Sequence, residues 1–127
     1  MGQIKHTLSK EERLHGKNDI NRLLADGKFG STETLRYCFC TANGLSYSRI
    51  LVSVPKKLFK RAVKRNLLKR RIRESYRLQK DILCQEEQGT DIMFVYNTKE
   101  ILPFSQIYKT VGLILSKISP NYEVTKE

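Results

Sequence analysis

The sequence predicts an α+β fold, a two-layer sandwich with helices packed against a small sheet of three or four strands. Three observations predict it. Residues 34–42, 49–54 and 92–96 carry short strand-like apolar patterns. Two longer stretches, about 60–82 and 103–118, repeat apolar residues at helical spacing instead. The two kinds of segment interleave, giving the order α-β-β-(β)-α-β-α. At 127 residues the chain reads as a single domain, 1–127, with one modest core.

Taken in order, residues 1–8 form a loose basic arm, and both this arm and the polar tail 119–127 are expected to be flexible. Ser9 and Glu12 have capping-box spacing, and Gly16 would end a single turn there. Asn18 or Asp19 then caps a short helix over 20–25, stopped by Gly27. Ile20, Leu23 and Leu24 share its apolar face; Leu23 reads as core, while Ile20 and Leu24 either pack inward or wall a groove. Over 34–42, Leu35, Tyr37 and Phe39 alternate with Arg36, Cys38 and Cys40, so the strand has two differently filled faces. Asn43-Gly44 is a turn signal and predicts a hairpin with the next strand, 49–54. That strand is nearly all apolar, which suits a central position, and Pro55 ends it because proline cannot donate to a ladder.

The helix over 60–82 has Leu68, Ile72 and Tyr76 as one apolar stripe. Residues 85–90 make a polar linker, and 92–96 a third apolar strand. Pro103 opens the last helix, capped near Ser105, with Ile107, Val111, Ile114, Leu115 and Ile118 on one face.

Charge is concentrated on the middle helix. Residues 56–80 hold 12 of the 24 Lys and Arg residues and a single acid, Glu74, in a chain of net charge +11. Asn66, Lys69, Arg70, Arg73, Arg77 and Lys80 fall away from the apolar stripe. Like charges stacked at helical spacing repel unless an anion neutralises them, so this face reads as a polyanion-binding surface. A strongly basic chain points to nucleic acid or an anionic membrane surface. The stripe lacks the bulky residues of an interfacial helix, and no apolar run approaches 18 residues. A DNA-reading helix-turn-helix would need a short helix before the basic one, where a strand ending at Pro55 stands instead.

Catalytic chemistry is hard to find. There is no nucleophile–base pair, phosphate-binding glycine loop or metal-ligand cluster. Asp81, Glu86, Glu87 and Asp91 flank the linker and read as solvated; a protein nuclease would need such acids, or a histidine, to hold metal ions and activate water. Cys38, Cys40 and Cys84 are too few and poorly spaced for zinc and fit free thiols in a reducing, cytoplasmic setting. His6 and His15 read as surface residues. The residues therefore describe a binder whose catalysis, if any, resides elsewhere.

Arg65-Asn66, Lys69-Arg70 and Arg73, preceded by Ala62-Val63 and by Val54-Pro55-Lys56-Lys57, closely resemble the signature of the bacterial ribonuclease P protein family, V-[SPA]-K-[KR], a short spacer, then A-x-x-R-N-x-x-K-R-x-x-R. Arg13-Leu14, Asp19-Ile20, Leu23-Leu24 and Gly27 are similar to the family's opening segment and first helix, so the likeness spans about residues 12 to 118. This chain departs from the pattern at Leu67, where the family usually has Arg, at Arg71, where an apolar residue is common, and at Ile20 and Leu24, often aromatic.

The resemblance implies a left-handed β-α-β crossover around the basic helix. It implies a protein subunit without catalytic residues, in a ribonucleoprotein whose RNA subunit holds the active site and its Mg²⁺, no cofactor being bound by the protein alone. The complex would remove the 5′ leader of precursor tRNA, with no membrane and no protein partner required. Lys56, Lys57, Lys60, Arg61, Arg65, Asn66, Lys69, Arg70 and Arg73 would dock on the RNA, Asn66 either there or holding a neighbouring loop. Ile20, Leu24, Arg36 and Cys38 would line a leader cleft, although the sequence leaves open whether Leu35, Tyr37 and Phe39 or Arg36 and Cys38 face it. The alternative is a structural-RNA-binding protein without turnover.

Overall fold

The computed structural model describes residues 8–85 and 89–119. Three helices, α1 (Lys17–Asp26), α2 (Ala62–Gln79) and α3 (Phe104–Ile118), accompany four strands, β1 (Lys28–Ser31), β2 (Leu35–Cys40), β3 (Arg49–Ser53) and β4 (Asp91–Tyr96). They form one sheet in the order β1-β2-β4-β3. β1/β2 and β2/β4 are antiparallel, and β3/β4 is parallel with α2 as its crossover.

Side-chain alternation along the strands sorts the two faces. Leu35, Tyr37, Ile50, Val52, Phe94 and Tyr96 turn toward α2 and α3 and join the Leu68–Ile72–Tyr76 stripe in the main core. All five apolar positions read on α3 are buried. On the opposite face α1 covers only part of the sheet, through a second cluster of Leu14, Leu23 and Cys38 with Ile20, Cys40, Leu51 and Met93 packed against it. The sandwich thus has two full layers and a partial third.

The hairpin expected at Asn43-Gly44 does not form. β2 pairs instead with β1, a four-residue strand the sequence reading did not separate, and β4 lies between β2 and β3. The connection between β1 and β2 is closed by Thr32, whose backbone N–H donates to Leu35 O (2.7 Å) and whose Oγ1 accepts from Leu35 N (3.0 Å). Residues 41–48 do turn, with Gly44 at φ 87°, but their polar groups pair with the approach to β4. Asn43 N donates to Gly89 O, Gly89 N to Leu45 O, and Asn43 Nδ2 to Asp91 Oδ1. β4 takes the centre because Ile92, Phe94 and Tyr96 are completely buried there.

β3 is accordingly an edge strand in the sheet order. Its apolar run reflects cover on both faces, and its free edge is shielded by the N-terminal segment: Leu14 N donates to Ile50 O at 2.7 Å, beside an Arg13–Ile50 bridge.

Helix ends differ in detail from the sequence reading. α1 starts earlier, with Gly16 as its N-cap at φ 112° rather than as the end of the preceding turn, so Asn18 and Asp19 lie inside its first turn. α2 ends at Gln79 and tightens into a 3₁₀ turn, Lys80–Gln85. α3 is preceded by Pro103 as N-cap, and Ser105 lies within the helix. Of the two ends expected to be flexible, Leu8 packs on the main core and Ser119 is buried; residues 1–7 and 120–127 lie outside the described residues.

Candidate nucleic-acid interface

The apolar stripe of α2 faces the core, so its basic side is left toward solvent. There a groove of about 680 Å³ is lined by Leu8, Arg13, Asn66, Arg70, Arg73, Glu74 and Arg77. Four guanidinium groups thus surround one carboxylate. Glu74 is engaged by Arg77 (Nε to Oε1, 2.6 Å). Among the described residues no carboxylate pairs with Arg13, Arg70 or Arg73. Burial, followed by repulsion from Arg13, pushes the Arg73 guanidinium below its usual pKa. A guanidinium stays charged nonetheless, so the groove gathers uncompensated positive charge on donors whose geometry suits phosphate oxygens.

Arg13 and Arg77 were not among the sequence-predicted contacts. Arg77 had already been placed off the apolar stripe, but Arg13 is 57 residues before Arg70 and no local pattern joins them. A partly buried ion pair brings it there: Glu12 next door meets Lys80 Nζ at 2.8 Å. Burial pushes the Glu12 carboxyl up, but the Lys80 bond and the Ser9 backbone N–H outweigh it and hold the carboxyl below its ordinary value.

The remaining sequence-predicted contacts sit at the entrance to α2. Pro55 ends the extended backbone and accepts from Leu58 N (3.1 Å), making a turn whose Phe59 is buried against Tyr96, ring centroids 5.8 Å apart. That anchor leaves Lys56, Lys57, Lys60 and Arg61 exposed. Arg65 reaches back and donates to Phe59 O and Lys60 O, both at 2.8 Å, so it holds this turn. Asn66 is exposed in the groove, and the loop-holding role considered for it is filled by Arg65. Lys69 is half-buried and, unlike Asn66, Arg70 and Arg73, does not line the groove. Leu67 is half-buried and does not line the groove, and Arg71 donates to Leu102 O, tying α2 to the loop before α3.

A second concavity of about 480 Å³ opens on the other face of the sheet, beside α1, lined by Phe29, Gly30, Ser31, Arg36, Tyr37, Cys38, Met93 and Val95. Of the two faces of β2, the Tyr37 side joins the main core with Phe39 packed against it, while Arg36 and Cys38 lie on the side of this concavity. Cys38 is fully buried in its floor, its Sγ donating to Leu23 O at 3.4 Å. Burial, with a smaller contribution from Cys40, pushes the Cys38 thiol up and keeps it protonated. Ile20 and Leu24 do not line this cavity. Ile20 packs into the α1 cluster and Leu24 is exposed. Phe29, Met93 and Val95 were missed; the two β4 residues are adjacent to Arg36 and Cys38 only through the β2–β4 register.

Asp91, read as solvated, is 6 % exposed and takes a bidentate bond from Arg49 (2.9 and 2.7 Å). Arg49 also donates to Asp19 on α1 at 3.1 Å, so this carboxylate is structural. No group of three or more His, Cys, Asp or Glu with metal-binding geometry occurs among the described residues. His15 is exposed; His6, Glu86, Glu87 and the Cys84 side chain lie outside them.

The family model described as Ribonuclease P matches residues 8–119. The chain belongs to the ribonuclease P protein family. It is 38% identical over 120 residues to a "Ribonuclease P protein component" of Porphyromonas gingivalis, covering 90% of this chain and 88% of that one. Solved ribonuclease P proteins share its fold. The Staphylococcus aureus protein superimposes with a TM-score of 0.73 at 25% identity, covering 88% of this chain and 98% of that one. The Thermotoga maritima protein gives 0.72 at 28%, covering 84% and 97%. As a ribonuclease P protein, the chain takes part in tRNA processing with an RNA partner. No helix among its described residues is long and apolar enough to cross a membrane.

Proposed function

We propose that this ribonuclease P protein binds the catalytic RNA of the holoenzyme through α2 and the turn before it, and the 5′ leader of precursor tRNA through the cleft beside α1. The observation that carries the reading is the α2 groove, where Arg13, Arg70 and Arg73 converge without an acidic partner among the described residues. Such a site is electrostatically incomplete until phosphates enter it. Lys56, Lys57, Lys60 and Arg61 extend the cationic track to the start of the helix. Hydrolysis is then the work of the RNA subunit and the Mg²⁺ it holds, and the protein supplies binding and orientation. The reaction takes place in the cytoplasm.

Reconstitution tests this. The purified chain, mixed with its RNA in Mg²⁺, is expected to accelerate leader removal. Asp81→Ala and His15→Ala should leave the bond-breaking rate constant within a few-fold. A chain that binds the RNA but does not change cleavage would be a structural-RNA binder instead.

A further inference from the structure

β1 is short and lies at the sheet edge, yet it presents a phenylalanine to water. Phe29 is 67 % exposed, whereas every other phenylalanine described is buried or much less open. Scattered exposed apolar side chains are ordinary, and exposure alone would mean little. Phe29 however lines the cleft, on the same sheet face as its cross-strand partner Cys38. One register step along, Ser31 pairs with Arg36, whose exposed guanidinium shares that cavity. Met93 and Val95 complete an apolar floor. The backbone beneath is fixed by pairing with β2, and α1 ends at Gly27 just before the strand. An aromatic face, an adjacent cation and a rigid apolar floor are the components with which proteins hold single-stranded nucleic acid. The ring stacks on a base and the cation meets the backbone.

We propose that Phe29 is the base-stacking residue of the cleft, with Arg36 neutralising the phosphate next to the stacked nucleotide. The inference rests on the reading that the leader occupies this cleft. It adds a residue on β1, where Ile20 and Leu24 of α1 offer only aliphatic surface outside the cavity. Stacking is sequence-tolerant because every base has a π-face, so Phe29 would grip leaders of differing sequence.

The chain has no tryptophan, so Phe29→Trp installs a unique fluorophore in the cleft. In the reconstituted holoenzyme, this variant should bind precursor tRNA as tightly as the parent, and its emission should be quenched by precursor but not by tRNA lacking the leader. Phe29→Ala should weaken precursor binding by roughly 5- to 100-fold and leave leaderless tRNA unaffected. Phe29→Leu, which keeps apolar bulk without a ring, should behave like Ala. Parent-like binding by Ala or Leu, or unquenched Trp emission on precursor binding, overturns the stacking role. Arg36→Glu separates the two levels. If charge reversal weakens precursor binding while the Phe29 variants do not, the stacking proposal fails and the cleft reading stands. If neither matters, both fail.

Discussion

Arg70→Ala is the sharpest probe of the α2 groove. Arg70 is exposed, lies off the buried stripe and has no carboxylate partner among the described residues, so its removal should leave the fold intact. If it neutralises one phosphate, its loss removes one set of released counterions. The log–log slope of affinity against salt should then become shallower by about 0.7 to 0.9. Between about 50 and about 200 mM salt, a fourfold change, one such contact corresponds to a factor of about three in affinity. The parent's advantage over Arg70→Ala should therefore shrink about threefold across that range. Filter binding or fluorescence anisotropy with the RNA subunit, titrated at four or five salt concentrations, measures this. Arg77→Ala is the internal comparison: Glu74 already holds that guanidinium at 2.6 Å, so its slope change should be smaller. Two results would refute the reasoning. Equal slopes for Arg70→Ala and the parent would mean that Arg70 meets no phosphate. A fall in melting temperature of many degrees would mean that it supports the fold.

Four further perturbations follow from the packing. Glu12→Gln should lower the melting temperature at neutral pH and much less in acid. A carboxyl depressed in the folded state contributes stability above its unfolded value, near 4.5, and loses it as pH falls through the folded value; melts at pH 7 and pH 3 check it. Gly27→Ala should destabilise by about 1–3 kcal/mol, because an added Cβ would lie 2.5 Å from Leu23 O, 2.6 Å from Cys38 Sγ and 3.0 Å from Phe39 O, and urea titration measures the loss. Ile72→Asp buries an unpaired charge at a position with no exposure and should abolish cooperative folding by circular dichroism, while Leu67→Arg, outside the groove, should leave the salt slope unchanged.

Local pattern and non-local assembly divide what the sequence made legible. Leu68, Ile72 and Tyr76, and the five positions of α3, were readable because helical period and burial coincide within one segment. The faces of β2 were readable as a pair but not assignable, since alternation cannot say which face α1 covers. Asn43-Gly44 misled because a turn signal reports backbone geometry and not the strand that follows. Gly44 does adopt φ 87°, but the partner of β2 was decided by β4, whose apolar residues fill the sheet centre. The site divides in the same way. Asn66, Arg70 and Arg73 recur along one helix and were found together, whereas Arg13 reaches them through a fold-level contact. Asp91 looked solvated because its partner, Arg49, is 42 residues away and meets it only through the parallel β3–β4 register.

That parallel pair also explains how the two candidate surfaces are tied together. The crossover places α2 on one face of the sheet, and α1 covers part of the other, so the groove and the cleft belong to different layers. Three consecutive residues span them at the β3 edge. Glu12 is fixed to Lys80 just beyond the end of α2, Arg13 enters the groove near Arg73, and Leu14 is buried with Leu23 and Cys38 under α1. Arg13 and Arg73 repel, and burial of Arg73 strengthens the conflict. The Glu12–Lys80 pair and the burial of Leu14 hold the segment down against that repulsion. An anion in the groove would remove the repulsion, stabilising the segment and the anchor of α1 with it, since a ligand that binds only the native arrangement stabilises it by mass action. RNA bound to this cation cluster as proposed would thus firm, from one layer of the fold, the segment that anchors α1 on the other.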